Sequence, residues 1–439
     1  MAPNARDYHP PVNFDCVIVG TGPAGLGAAF TLVDRRPGIS VLLIDSSGVS
    51  TGGLANDCKM NFTYPIGFPQ EYWDQETAER LLAEVTDRLT PEILPTRNIS
   101  VYERRAEKLD VKLLEIRQAH LGTDGGVKLA HALVKELQNR GATFGLSETA
   151  VEVREKAHTL VTDKREITFK NLILAPGRKG FAFLQAVMDG LEIPYIDNII
   201  DIGLRIETRE TSYPIVKDYY DPKFLFPQKV RTFCTNSGRA YVVKEKYKAR
   251  SGRDYFSVNG HSFSNKENGS GLVNFAMLKT VRFTAPLASG QEFAEMLGQQ
   301  AMLMGGGQPL MQRVGDFRLG KRSKVESFTG DLYDFEPTLS SCTPGDVSLA
   351  MPAKVLRAIW KSMKALDTIV PGVLHPSTIM YYPEIKLYGN KPRFMDNGFQ
   401  ARPGIYLIGD GAGTSRGITA AWASGIRAAE GILKREAGA

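Results

Sequence analysis

Three glycines, Gly20, Gly22 and Gly25, stand in the spacing G-x-G-x-x-G directly after the apolar run Phe14 to Val19 (FDCVIV). In that spacing the first glycine permits a tight turn, the second lets the backbone approach a pyrophosphate, and the third allows a helix to pack closely on a strand. The amides at the start of the helix then meet the phosphate charge. Asp45 ends a second apolar run, VLLID, where a carboxylate can hydrogen-bond a ribose hydroxyl. These residues describe dinucleotide binding, and the glycines alone do not choose between NAD and FAD. The choice comes from the far end of the chain, where GIYLIGDG places Gly409 and Asp410 at a strand end ahead of a Gly-rich helix start, GAGTSRGITAA. A carboxylate there is suited to a ribityl chain, and the helix N-terminus that follows directs its dipole at a flavin.

The elements that must position these residues are legible in outline. Strand, turn, helix and the strand Val41 to Asp45 form a right-handed, parallel βαβ unit. Residues 55–100 read as loop and helix without a strong period, and GVKLAHALVKELQNR (126–140) reads as a helix stopped by Gly141. The short β-branched runs ATFGL, AVEVRE, HTLVT and EITF, followed by NLILA before Pro176-Gly177, predict a small β-meander and a return strand. From about 200 to 375 the texture turns to strands and loops rich in Tyr, Phe, Gly and Asn, and the helix-strand rhythm returns only near Gly404 and in the final helix, 418–434. The fold class expected is α/β: a Rossmann-type FAD-binding domain with a β-meander, plus an inserted mixed α+β substrate domain. The bounds expected are 12–205 for the first part of the FAD domain with an excursion over 55–120, 206–375 for the insert, and 376–439 for the last strand and helix.

With Gly20/Gly22/Gly25, the Ala175-Pro176-Gly177 turn and Gly409-Asp410 in this order, the chain resembles a flavoprotein of the glutathione-reductase structural type. NLILAPGRKG, DIGLRIE, FCTNSGRAYVV, VNGHSF and GDGAGTSRGI make it most similar to a group of FAD-dependent dehydrogenases whose substrates are mostly unknown, a likeness running over 14–435. The resemblance implies a non-covalent FAD held also by Gly53, Asp57 and Lys59 on a loop passing the flavin, by the backbone of Val151 at the adenine, and by Gly177, Gly417 and Ile418. The sequence departs from the group within GGLANDCKM (52–60), where Cys58 replaces an expected glycine. A cysteine is disfavoured wherever the backbone needs positive φ, and a reactive or covalent role for its thiol is disfavoured too.

Two-domain disulfide reductases carry a second G-x-G-x-x-G and a redox CxxC, and this chain has neither; Gly305-Gly306-Gly307 reads as loop. The electron path expected is therefore a single FAD alternating between one small-molecule donor and a second acceptor, with NAD(P)H as a transient donor in one version. Hydride chemistry belongs to the cofactor, so the protein must supply orientation and an acid or base. His261, in VNGHSF, is the candidate acid or base. Arg416 is the candidate facing flavin or a substrate carboxylate, and Arg239, with Asn259 and Tyr241, is a candidate for substrate hydrogen bonds.

The 439 residues carry 54 Lys plus Arg against 48 Asp plus Glu, a net of +6 too small to mark a nucleic-acid binder by itself. Its placement is uneven. Residues 228–254 hold eight basic and two acidic residues, and 313–324 hold five and one, which reads either as solvated loop or as a basic mouth for an anionic or carrier-bound small-molecule substrate. The four cysteines, Cys16, Cys58, Cys234 and Cys342, form no disulfide framework or zinc pattern. A polar N-terminus and the lack of an apolar run of about 18 residues give a cytoplasmic protein as the expectation, with no membrane and no nucleic acid as partner. The function expected is hydride transfer between flavin and a small organic molecule, placed in specialised metabolism. An NAD(P)H-fed flavin monooxygenase or reductase, an FAD-dependent tRNA-modifying protein and a non-catalytic FAD-stabilised protein remain the alternatives.

Overall fold

The computed structural model describes residues 12–48, 53–55, 57–249, 252–263, 269–287, 289–329 and 335–438, which fall into two compact units. The first comprises residues up to Glu92, Asp124–Ile196 and Gly389 onward; the second comprises Ile93–Thr123 and Asp197–Tyr388. These bounds differ from the expected ones. Strand Ile199–Arg209 pairs along its whole length with Leu272–Arg282, from Ile199 opposite Arg282 to Arg209 opposite Leu272, so its hydrogen-bond ladder leaves no boundary at 205. Strand Ile379–Leu387 pairs with it from the other side, which carries the insert past 375. The excursion is divided as well, because Lys112–Leu114 adds an edge strand beside Lys223–Phe226 in the second unit.

The first unit is an α/β layer built on a parallel sheet. Its strand order is Ile405–Leu407, Glu166–Leu174, β1 (Val12–Val19), β2 (Val41–Asp45) and Thr143–Leu146, all parallel, with Gln400–Arg402 antiparallel at one edge. Val17, Leu42, Leu172 and Leu407 are fully buried in one apolar cluster. That fits the near-continuous hydrophobic runs of strands covered on both faces. The meander is present, with one difference from its expected form. Thr143–Leu146 joins the main sheet, while EITF and NLILA are a single strand, Glu166–Leu174, whose first residues carry the hairpin of Ala150–Arg154 and Thr159–Thr162.

Helix α1 (Pro23–Arg35) packs on the C-terminal helix Ile418–Gly438. Small residues set the closeness. A Cβ on Gly425 would lie 2.1 Å from the Ala24 carbonyl oxygen, and one on Gly27 would lie 2.5 Å from the Trp422 carbonyl oxygen.

The second unit is a mostly antiparallel sheet in the order 343–344, 310–313, 379–387, 199–209, 272–282, 230–236, 223–226, 112–114, accompanied by a separate hairpin, Ala240–Tyr247 with Tyr255–Ser262. Strand Ile199–Arg209 is buried throughout. Ile200, Ile202, Leu204 and Ile206 join an apolar core with Ile359 and Met363 of helix Ala353–Ile369. Alternation along a strand sends Asp201, Arg205 and Glu207 to the opposite face, and all three are fully buried.

Candidate functional site

The Gly-rich turn is fixed by three strand ends. Gly20 N–H donates to the Ile44 carbonyl (2.7 Å) and Ala175 N–H to the Val19 carbonyl (2.7 Å), so β1, β2 and Glu166–Leu174 finish side by side. Gly20 has φ +104°, and a Cβ on it would lie 2.1 Å from the Ala175 carbonyl oxygen. Gly22 is the N-cap of α1, with Pro23 in its first turn and no side-chain cap. A Cβ on Gly25 would lie 1.9 Å from the Gly20 carbonyl oxygen, so only glycine lets the helix close on its own turn.

Asp45 is held by a partner that sequence reading overlooked. Its carboxylate accepts from Thr21 N–H (2.9 Å) and Thr21 Oγ1 (2.6 Å) through one oxygen, and from Ser47 N–H (2.9 Å) through the other. The acid at the end of β2 therefore ties that strand to the turn. A carboxylate has about four acceptor sites, which leaves room for a ribose hydroxyl. Nothing in the spacing of the motif marks its second residue, Thr21, for this role.

Two further turns close on the first. Gly177 (φ +64°, ψ −163°) and Gly409 (φ +78°, ψ −169°) both occupy a backbone region essentially confined to glycine. A Cβ on Gly409 would lie 3.1 Å from the Ala24 Cβ at the start of α1, and one on Gly411 would lie 2.4 Å from the Gly177 carbonyl oxygen. Asp410 accepts from Ser415 Oγ (2.9 Å) and from Gly417 N–H (3.2 Å), and Arg178 Nε is 3.9 Å away. Burial pushes the Asp410 carboxyl up, against the pull of the Arg178 guanidinium and the Gly417 amide.

Gly417 (φ +87°) precedes the 21-residue C-terminal helix, and a side chain placed on Gly417 or Gly177 would meet open space. The site is thus a cradle: backbone packed too tightly for side chains at Gly20, Gly25 and Gly411, and open beside Gly177 and Gly417 at the start of a helix. Such a surface fits the elongated, twice-negative FAD, with two helix N-termini available to its charged and polar groups.

The loop before the short strand Lys59–Asn61 belongs to the same site. Gly53 lies against Ile418, whose Cγ1 is 3.2 Å from the position of a Gly53 Cβ. Asp57 and Lys59 pair at 3.1 Å and are both largely buried, so Lys59 is an internal charge and not a solvated one. Asp57 (φ +68°) and Cys58 (φ +48°) are both left-handed. Cys58 therefore adopts a conformation its side chain disfavours, and the loop packs closely on Gly126, where a Cβ would lie 1.8 Å from the Leu54 carbonyl oxygen and 2.8 Å from the Cys58 Cβ. Gly52 and Asn56 of this loop lie outside the described residues.

Val151 is 58% exposed and falls in a bulge between Ala150, opposite Thr162, and Glu152, opposite Val161. It is no core residue, and its backbone is set apart from the ladder. Arg416 N–H donates to the Gly67 carbonyl (2.8 Å), and the residue is exposed.

Buried thiols in either unit are held protonated and so unreactive. Cys16, Cys58 and Cys342 are buried, and desolvation pushes the Cys58 and Cys342 thiols up to about 12. A thiol reagent is expected to modify Cys234 alone in the native chain and all four cysteines after denaturation. Rapid native labelling of Cys58, mapped by mass spectrometry, would contradict this placement.

The other candidates lie in the second unit. His261 is directly opposite Tyr241 in the hairpin. Arg239 stacks its guanidinium 5.0 Å from the Phe263 ring centroid, and Tyr241 meets the same ring edge-on at 6.2 Å. His261, Tyr241 and Arg239 are thus neighbours. Asn259 is buried and donates to Glu245 Oε1 (2.6 Å).

Several members of the basic stretches have partners within the second unit. Arg231 pairs with buried Asp201 (2.5 Å), Lys244 donates to Gln308 (2.7 Å) and Lys246 pairs with Asp254 (2.8 Å). Arg313 is buried between the rings of Phe328 and Phe335, and Arg250 lies outside the described residues.

The described residues thus define an α/β protein whose parallel sheet ends in a dinucleotide cradle. Residues 14–200 match the family model described as pyridine nucleotide-disulphide oxidoreductase. An uncharacterized protein of Clostridium beijerinckii is 23% identical over 95% of this chain and 80% of its own length. Among solved structures, glycine oxidase from Bacillus cereus is similar at a TM-score of 0.42, with 10% identity over 96% of this chain and 95% of its own. L-Proline dehydrogenase from P. horikoshii is similar at a TM-score of 0.43, with 12% identity over 97% and 94%. No described helix is long and apolar enough to cross a membrane, and no described group of three or more His, Cys, Asp or Glu could hold a metal ion.

Proposed function

We propose that the protein is an FAD-dependent oxidoreductase, a dehydrogenase or reductase moving hydride between flavin N5 and a small organic, anionic substrate. One observation carries the reading: the turns at Gly20, Gly177 and Gly409 close on one another around the start of α1. The match of residues 14–200 to an oxidoreductase family model supports it. The protein is an enzyme working in the cytoplasm, which accords with four free cysteines.

The chain's own residues then have distinct tasks. The first amides of α1, beyond Gly22, hold the pyrophosphate; Asp45 takes a ribose hydroxyl while gripping Thr21; and the Val151 backbone meets the adenine. Asp410 orients the ribityl chain, held in place by Ser415 and Gly417. Gly417 and Ile418, at the start of the last helix, with Gly53, Asp57 and Lys59 on the facing loop, keep the ring in place and exclude water from it. The flavin supplies the two-electron chemistry when bound. Arg416 is the first unit's substrate-orienting residue in this reading, and His261 and Arg239 are the second unit's candidates for an acid or base and a polar anchor.

Anaerobic stopped-flow reduction with NADH, NADPH and a panel of small carboxylates tests the electron path. Reduction by a carboxylate donor is the expected result. Fast bleaching by NADPH with none by the panel would replace this reading with the monooxygenase or reductase one.

A further inference from the structure

Helix Ala353–Ile369 turns Val355, Ile359, Met363 and Leu366 into the core of the second unit. Its outer side carries Lys354, Arg357, Lys361 and Lys364, at the three- and four-residue steps that keep side chains on one helical face. All four are exposed, and among the described residues none makes an ion pair or a side-chain hydrogen bond. The helix's single acid, Asp367, is turned to backbone, accepting from Gly372 N–H (3.0 Å) and Leu374 N–H (2.9 Å). Further cations crowd the start of the helix. Burial, with Lys354 and Lys229 close by, holds the Lys279 ammonium below its usual value.

A second set of cations lies beside this helix. The Phe317 ring meets that of Trp360 at 4.8 Å between centroids, and Trp360 has Arg357 one turn before it and Lys364 one turn after. The segment that leaves Phe317 carries Arg318, Lys321, Arg322 and Lys324, again exposed and again without a described side-chain partner. It is pinned from within. Asp316 accepts from Ser323 Oγ (2.6 Å) and Ser327 Oγ (2.9 Å), Lys321 N–H donates to the Asp316 carbonyl (2.9 Å), and Ser323 N–H donates to the Gly345 carbonyl (3.0 Å). Ser323 is fully buried while Arg322 and Lys324 on either side of it stand outside. The same segment exposes Leu319 by 69% and Val325 by 61%, and Leu349, shortly after Gly345, is 64% exposed. Glu326 is the one exposed acid of residues 316–326.

We propose that this face of the second unit docks peripherally on an anionic lipid bilayer, its cations meeting the lipid headgroups and Leu319, Val325 and Leu349 entering the headgroup layer. Charge complementarity carries the choice of partner: the two segments present eight unpaired cations and one exposed acid. Clusters of about four to eight Lys and Arg on a helix surface attract anionic lipids, and apolar side chains beside them add buried area at the interface. A nucleic acid fits less well, because the rings at this face, Phe317 and Trp360, pack on each other and leave no free aromatic platform for bases. The expectation of no membrane partner rested on the lack of a long apolar run, and a surface contact needs none. The proposal stands on the second unit alone and does not depend on the flavin reading.

The test is cosedimentation of the full chain with vesicles of mixed phosphatidylserine and phosphatidylcholine, with phosphatidylcholine vesicles as the control and polyuridylate as a second polyanion. Binding to the phosphatidylserine vesicles alone is expected, reversed at about 1 M sodium chloride, where the Debye length falls to about 3 Å. Each cation near such a surface is worth about fivefold in partitioning, so the quadruple variant Lys354→Gln, Arg357→Gln, Lys361→Gln and Lys364→Gln should bind about a hundredfold or more weaker. Glutamine suits an exposed helix position, and thermal melts identify any variant that fails to fold. The pair Arg318→Gln and Lys321→Gln, off the helix, provides an independent charge variant with an expected loss of about twentyfold. Leu319→Ser with Val325→Ser, which keeps every charge, should weaken binding by about fivefold or more. No binding to phosphatidylserine vesicles, equal binding to phosphatidylcholine alone, undiminished binding by any of these folded variants, or tighter binding to polyuridylate than to vesicles would each overturn the proposal.

Discussion

Replacing Gly20 by alanine is expected to abolish flavin retention and to destabilise the chain by about 3 kcal/mol. Two costs combine at this residue. Its φ of +104° is strained for any L side chain, and the new Cβ would lie 2.1 Å from the Ala175 carbonyl oxygen. That oxygen belongs to backbone at the end of a central strand, which cannot swing aside as a flexible side chain would. Moving it would break the Ala175 N–H bond to Val19 and pull apart the strand ends that shape the turn. Gly141 offers the control, since it has φ +92° but open space where a Cβ would go. Gly141→Ala should cost about 1 kcal/mol of backbone strain and leave flavin content unchanged. Urea melts and flavin absorbance of both variants check the contrast, and equal behaviour would show that the close approach at Gly20 is not what matters.

Gly425→Ala is expected to destabilise by about 2–3 kcal/mol, against the usual sign of a helical glycine-to-alanine change. In an exposed helix interior the substitution gains about 1 kcal/mol from propensity. Here the Cβ would lie 2.1 Å from the Ala24 carbonyl oxygen and 2.6 Å from the Ala28 nitrogen, so the C-terminal helix must withdraw from α1. Because Ala24 also abuts Gly409, the withdrawal should loosen the cradle and raise the flavin dissociation constant. At Gly190, the last residue of helix Phe181–Gly190, a Cβ meets nothing within 4 Å. Gly190→Ala should therefore be neutral. Denaturation midpoints of the two variants decide the matter; a Gly425→Ala chain as stable as the parent would contradict the helix crossing.

What was legible in the sequence was local. Gly20, Gly22 and Gly25 declare themselves because a turn, a helix start and a close approach each restrict one residue type within six positions. VLLID is read correctly because a buried parallel strand is an unbroken apolar run. Lys112–Leu114 was not legible as an edge strand of the second unit, since three residues carry no periodicity and their partner, Lys223–Phe226, is more than a hundred positions away.

Charge misled for the same reason. Arg231 and Arg313 count as surface basicity in a linear tally, yet one is bound to buried Asp201 and the other is enclosed by two phenyl rings. Arg205 was hidden inside DIGLRIE. Only the ladder shows that it points away from the Ile and Leu of its own strand, toward a glutamate 179 positions later. Cys58 shows the opposite case: a residue type that disfavours positive φ takes it, in a loop packed closely against Gly126.

The central claim, that the cradle at Gly20, Gly177 and Gly409 holds FAD, is tested most directly by the absorbance spectrum of the purified chain before and after denaturation. A bound flavin is expected, released intact as FAD at one per chain, or taken up to that ratio when FAD is added to the apoprotein. A correctly folded chain that neither carries nor takes up FAD would contradict it.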